Sequence, residues 1–157
     1  MGNSTVIVEI DKLDQFLDRY EVRQGMLIQI LLDIQSEFNW IPFEAMDRIS
    51  KRFQIPLSQI YRVASFYKAM SLTPKGRHLL RVCLGTACHV RGGKRIMEKA
   101  QQFLALQGEG TTQDLKFTLE RVNCLGCCAL GPVMVVDGEY HGHMTTSEVE
   151  KILEPCQ

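Results

Sequence analysis

Residues 83–93 read CLGTACHVRGG and residues 124–132 read CLGCCALGP, and these two runs hold five of the six cysteines of the chain. Each run follows a stretch with the alternation of a β-strand, His78 to Val82 before the first and Leu115 to Val122 before the second, and each is rich in glycine. A pair of thiolates from each run, brought together by the fold, makes a four-thiolate site, which suits zinc or an iron-sulfur cluster. Structural zinc sites favour pairs spaced C-x2-C. Here Cys83 and Cys88 are spaced C-x4-C, and Cys124 pairs with Cys127 as C-x2-C or with Cys128 as C-x3-C. The wider spacing favours a binuclear iron-sulfur cluster over zinc. Gly85, Gly92, Gly93 and Gly126 let backbone N–H groups come close to its sulfides.

Other readings of these residues fail on spacing. The C-x4-C-x2-C of plant-type ferredoxins is absent. A Rieske centre needs two histidine ligands in matching places; Cys88 is followed by His89, but the second run has no C-x2-H, and His141 and His143 lie well beyond it. The C-x-x-C of Cys124 and Cys127 sits too late in the chain for a thioredoxin-type dithiol and lies beside a third cysteine. A phosphate loop ending at Gly93-Lys94 would put its first glycine at Cys88, and Arg95 stands where Ser or Thr is needed.

Outward from the cysteines, the periodicity predicts a strand, a metal-bearing loop, and a helix from Lys94 to about Leu106 with Ile96, Met97, Ala100, Phe103 and Leu104 inward. After the second run, residues 133–136 and 139–141 flank Asp137-Gly138 as a β-hairpin, and Thr145 or Thr146 caps a last helix to about Leu153. The order βαβ-β-β-α predicts a small α/β sandwich of thioredoxin-like type with both cysteine runs at one end of the sheet. Upstream, Thr73-Pro74-Lys75-Gly76 is a linker signal. It separates an all-α N-terminal bundle, residues 1–73, from the thioredoxin-like cluster domain, residues 77–157. The bundle is expected as four helices: one capped by Asp11; one from Met26 to Phe38, apolar around most of its girth; one opened by Pro42 with a stripe of Phe43, Met46, Ile49 and Phe53; and one from Leu57 to Met70 whose Ile60, Val63, Ala64, Phe66, Tyr67 and Met70 pack inward.

Composition narrows the function. Lys plus Arg equals Asp plus Glu at 18 each, so no basic field suits nucleic acid. The start, MGNSTVIVEIDKLDQ, lacks a basic region and an uninterrupted apolar run, no later run could span a bilayer, and Val6 stands where a myristoylation signal needs Ser or Thr. The expectation is a cytoplasmic protein without membrane insertion, whose cysteines are metal ligands or redox thiols rather than disulfides.

The first run and its CHVRGG continuation, the C-x3-C ending at Cys128, ALGPVMVVDGEYHG (129–142), QSEFNWIP (35–42), ASFYKAM (64–70) and TPKGRHLLRVC (73–83) resemble the thioredoxin-like 2Fe-2S subunit family. That family includes the small peripheral iron-sulfur subunit of respiratory complex I and the related subunits of NAD(P)-linked hydrogenases and formate dehydrogenases. The resemblance runs from about Arg23 to Leu153. It implies Cys83, Cys88, Cys124 and Cys128 as ligands of one 2Fe-2S cluster, with Cys127 a neighbour and Cys156 a free thiol. It also implies a flavoprotein partner carrying FMN, the NAD(P)H site and its own iron-sulfur cluster, and a further catalytic subunit; the apolar helix from Met26 to Phe38 is the reason to expect that partner on the N-terminal bundle. This chain would then be a non-catalytic one-electron carrier of a multisubunit oxidoreductase. The rival from another class is a zinc-stabilised interaction module without redox activity.

Overall fold

A computed structural model describes residues 10–20 and 25–156; the start of the chain, read above for a leader and a myristoyl signal, and Arg23 lie outside them. The chain divides into two compact units, Met1–Pro74 and Lys75–Gln157.

Among the described residues the first unit holds four helices, α1 (Ile10–Leu17), α2 (Leu27–Phe38), α3 (Phe43–Phe53) and α4 (Leu57–Phe66). Asp11 lies within α1 rather than capping it. Leu13, Leu17, Ile30, Leu31, Ile34, Ile41, Ile49 and Ile60 form the fully buried centre. The helices stop where the backbone turns left-handed, at Asn39 after α2 and at Gln54 after α3. Polar ties cross the bundle: Arg48 pairs with Asp14, and Arg52 with Asp18 at 2.7 Å. The Tyr20 hydroxyl donates to Asp33; burial and that carboxylate push the phenol up to about 12.

The apolar residues of this unit are less uniformly inward than periodicity predicts. α2 buries Leu27, Ile30, Leu31 and Ile34 and leaves Ile28 and Leu32 exposed. Phe43 is exposed at the head of the α3 stripe, where Ala45 takes its place in the core. The last helix ends at Phe66, because Tyr67 is extended, and Phe66 and Tyr67 face outward in an edge-on ring pair 5.1 Å apart. Met70 is buried although it lies past the helix. The returning chain is held there by Ile41 N–H on the Ser71 carbonyl at 2.7 Å and Ser71 N–H on Gln35 Oε1 at 2.6 Å.

The second unit is built on a five-stranded sheet of order β2-β3-β1-β4-β5. Its strands are β1 (His78–Cys83), β2 (Gly110–Thr111), β3 (Phe117–Val122), β4 (Met134–Val136) and β5 (Glu139–His141). The central pair, β1 and β3, is parallel with Cys83 opposite Val122; the other pairings are antiparallel. Asp137 and Gly138 both take positive φ, as the tight turn joining β4 to β5 requires. Between β1 and β3 lie α5 (Thr86–Val90) and α6 (Gly93–Phe103), and α7 (Thr146–Leu153) closes the domain. The short β2 and the single-turn α5 are not foreseen from periodicity; α5 replaces part of the expected loop, since neither element is long enough to show a period.

Alternation along the strands separates two faces. Leu80, Val82, Leu119, Met134 and Val136 pack with Ile96, Met97 and Ala100 of α6 and Val149 and Leu153 of α7. Cys83, Val133 and Val135 belong to a second, smaller apolar group. Thr145 starts α7: its N–H and its hydroxyl both donate to Glu148 at 2.7 Å, and these bonds hold the Glu148 carboxyl below its usual range.

Glu120 of β3 lies beside its strand neighbour Arg81 and binds Lys75 at 2.5 Å. Burial pushes its carboxyl up, but the two cations outweigh burial and hold it below the usual carboxylate range. A depressed folded pKa gives stability that is present above the ordinary carboxyl pKa and lost as pH falls through the depressed value. Glu120→Gln is expected to lower stability at neutral pH by about 1.5–3 kcal/mol, the usual scale for a charge-assisted bond. The difference from wild type should shrink as pH falls below about 4, near the ordinary glutamate pKa. Thermal melts across pH 3 to 7 measure it; a difference that does not change with pH would mean the ion pair contributes nothing.

Candidate metal centre

Parallel pairing of β1 with β3 decides where the cysteines go. Cys83 ends β1 opposite Val122, and Cys124 follows two residues after Val122, so both runs leave the sheet at the same end. Backbone bonds fix Cys83 between its neighbours: its N–H donates to the Val133 carbonyl at 3.0 Å, and the Leu84 N–H to the Val122 carbonyl at 2.8 Å. The next turn presses on the second run. A Cβ at Gly85 would stand 2.3 Å from the Asn123 carbonyl oxygen, so only glycine fits there. Residues 86–90 then coil as α5 and carry Cys88 inward, 2 % exposed like Cys83.

In the second run Cys124 and Cys128 are exposed and their Sγ atoms lie 3.9 Å apart. The Gly126 N–H points at Cys124 Sγ at 3.3 Å, as expected of a glycine beside the sulfurs. At Gly93 a Cβ would stand 2.7 Å from the Cys83 carbonyl oxygen and 2.9 Å from that of Cys88, so α6 begins close against the first run. Gly131, which spacing does not single out, does face a sulfur, because a Cβ there would lie 3.1 Å from Cys88 Sγ. The chain leaves the site through a short 3-10 turn, Cys128–Leu130, and the cis Gly131-Pro132 peptide.

The thiols sense one another electrostatically. Burial, then a hydrogen bond with Cys83, pushes the Cys88 thiol up to about 11, and proximity to Cys83 and Cys128 adds to it. The Cys128 thiol is raised by its hydrogen bond with Cys124 and by the nearby charge of that group, with a smaller contribution from Cys83. Cys83, Cys88, Cys124, Cys127 and Cys128 thus lie near one another at one end of the sheet, with Cys83 and Cys88 buried and Cys124 and Cys128 exposed. Among the described residues no three His, Cys, Asp or Glu side chains stand at metal-ligand spacing. Cys127 packs against the apolar group of Cys83, Cys88, Val133 and Val135. Cys156 is remote from the set: it packs with the α6 and α7 core, and its thiol faces the Ile152 carbonyl at 3.8 Å. His89 is exposed in the last turn of α5.

Sequence reasoning missed Arg91. Its Nη1 donates to the carbonyls of Cys128 at 2.8 Å and Ala129 at 3.2 Å, tying the first run to the second. The signal available was an arginine in CHVRGG, three residues after Cys88.

A thioredoxin-like sheet that brings four thiols from two loops to one end, with glycine at their contacts, defines an iron-sulfur carrier domain rather than a dithiol oxidoreductase. The family model described as thioredoxin-like [2Fe-2S] ferredoxin matches residues 13–157, and the chain belongs to that family. It is 33% identical over 139 residues to the HndA subunit of the NADP-reducing hydrogenase of Solidesulfovibrio fructosivorans, covering 88% of this chain and 81% of that one. To a subunit of the NADH-quinone oxidoreductase of Escherichia coli K12 it is 32% identical over 146 residues, covering 93% and 88%. Among solved structures it resembles an NAD+-reducing [NiFe]-hydrogenase in the air-oxidised state, with a TM-score of 0.70 and 20% identity over 87% of this chain. That likeness shows the fold, and the chain spans about a quarter of the hydrogenase chain, 24% of it.

The domain is therefore of the kind that binds a 2Fe-2S cluster, which sets the zinc reading aside. The residues present fit such a group. Four soft thiolate donors are available, the Gly126 N–H is aimed at a sulfur, and the absence of a side chain at Gly131 keeps room beside Cys88.

Proposed function

We propose that this chain is a one-electron carrier in a multisubunit NAD(P)-linked oxidoreductase, and that Cys83, Cys88, Cys124 and Cys128 hold its single 2Fe-2S cluster. The observation that carries the reading is that parallel β1 and β3 deliver both cysteine runs to one end of the sheet, with Cys124 and Cys128 Sγ 3.9 Å apart there. When bound, the cluster supplies reversible one-electron chemistry. The chain itself supplies the ligands, the buried wall on the Cys83 and Cys88 side, and an open side at Cys124 and Cys128 through which electrons pass to a partner. Its role is carriage, and the substrate chemistry belongs to other subunits.

The partner is a flavoprotein subunit bearing FMN and the NAD(P)H site, with a further catalytic subunit behind it, in the cytoplasm. No described helix is long and apolar enough to cross a membrane. Part of the docking surface is the N-terminal unit, where Phe66 is 79 % exposed and Phe43 and Tyr61 are exposed as well. Anaerobic capture of the full-length chain from its native host is the test. The expected result is co-purification of a flavin-containing, NAD(P)H-oxidising subunit whose recovery falls several-fold with Phe66→Ser. Capture without any flavoprotein would overturn the reading, and undiminished capture by Phe66→Ser would remove the docking surface from it.

A further inference from the structure

We propose that Arg91 is a positioning residue for the cluster: its guanidinium holds the Cys128 turn against the first cysteine run and keeps a fixed positive charge there that favours the reduced cluster. The inference rests on the ligand set proposed above.

The backbone of Arg91 caps α5, its N–H on the Ala87 carbonyl at 3.3 Å, so its Cα is fixed three residues from Cys88. Its side chain is exposed, and a free arginine at a surface keeps most of its rotamer freedom. Here it instead lies over the second run with Nη1 on two successive carbonyls, those of Cys128 and Ala129. The Cys128 carbonyl also accepts the Gly131 N–H at 3.2 Å. Pinning a peptide oxygen at both sides restricts the backbone rotation of Cys128 and hence the direction of its thiol, on a turn that is otherwise open to solvent.

The charge follows from the same contacts. Among the described residues the partners of Arg91 are carbonyl oxygens, and no carboxylate neutralises it. A guanidinium stays protonated at any working pH. Reduction adds one electron, supplied by the partner or by a chemical reductant, to a cluster already negative from four thiolates and two sulfides. A fixed cation beside it lowers the energy of the reduced form more than that of the oxidised form.

The test uses the full-length protein loaded anaerobically, with wild type, Arg91→Gln and Arg91→Lys titrated by EPR-monitored potentiometry and then challenged with an iron chelator. Glutamine removes the charge, and the ratio of reduced to oxidised cluster at fixed potential is expected to fall about tenfold, a downward shift of about 59 mV for one electron. Lysine keeps the charge but not the planar guanidinium whose Nη1 bridges the two carbonyls, so its potential should stay near that of wild type while iron loss quickens several-fold. An unchanged potential in Arg91→Gln overturns the proposal, as does a lysine variant that falls as far as glutamine. If the glutamine variant holds too little cluster to titrate, lysine decides: a loaded cluster at wild-type potential supports the proposal, and its loss or displacement overturns it. Failure of the ligand set would show separately, as wild-type protein without two irons and two sulfides per chain.

Discussion

Serine in place of Cys128 should leave the purified chain almost colourless, while serine in place of Cys127 should leave it red-brown with about two irons and two sulfides. The two residues are adjacent, so the contrast isolates geometry from position. Cys128 Sγ lies 3.9 Å from Cys124 Sγ, in the C-x3-C pair proposed as ligands, whereas Cys127 packs against the small apolar group of Cys83, Cys88, Val133 and Val135 and so stands as a neighbour of the site. Replacing a ligating thiolate by a hydroxyl exchanges a soft donor for a harder, mostly protonated oxygen, which a ferric cluster holds poorly. At Cys127 the same change alters only local polarity and should shift the potential slightly. Because Cys128 is exposed, the metal-free variant should melt within about 0.5 kcal/mol of wild type, and loss of cluster cannot then be ascribed to unfolding. Iron and sulfide assays, visible spectra and EPR on the two variants prepared side by side without oxygen decide it. Cluster loss in Cys127→Ser with retention in Cys128→Ser would reassign the second pair to C-x2-C.

Gly85→Ala is the second large expected effect. The added methyl would stand 2.3 Å from the Asn123 carbonyl oxygen and 3.4 Å from Cys124 Cα. Both obstacles are backbone, so no flexible side chain can swing aside. One neighbour, Leu84, is held by its bond to Val122 at 2.8 Å. The two cysteine runs must separate, at a cost of about 1–3 kcal/mol, the usual range for overpacking. The same separation moves Cys124 from Cys83 and Cys88, so cluster content should fall in parallel with stability. Gly108→Ala is the control, since nothing lies within 4 Å of a Cβ there. Chemical denaturation of the metal-free forms and iron content after reconstitution are the measurements; a Gly85→Ala protein as stable and as well loaded as the control would show that the two runs are not held in register through this contact.

What could be read from the amino-acid order alone was whatever has a short period or a local cause. The alternation of residues 78–82 and 115–122, the helical spacing of Ile96, Met97 and Ala100, and the Asp137-Gly138 turn each express geometry within a few residues, and each element formed, although the second strand starts only at Phe117. Cysteine type and spacing likewise favoured a binuclear cluster, because ligand number and softness are properties of residues, but left Cys127 and Cys128 open as the fourth donor. Elements too short to complete a period escaped, as α5 and β2 did. So did side-chain direction at helix ends: Phe43, Phe66 and Tyr67 keep helical spacing with the core residues yet face outward, because the neighbouring elements do not cover those ends. The rest of the site depends on contacts between distant parts of the chain. Register between β1 and β3 brings Cys83 to Cys124, Gly85 meets Asn123, Gly131 makes room for Cys88, and Arg91 reaches two carbonyls across the site. None of these leaves a periodic mark, since each residue's role is set by what the folded sheet places opposite it.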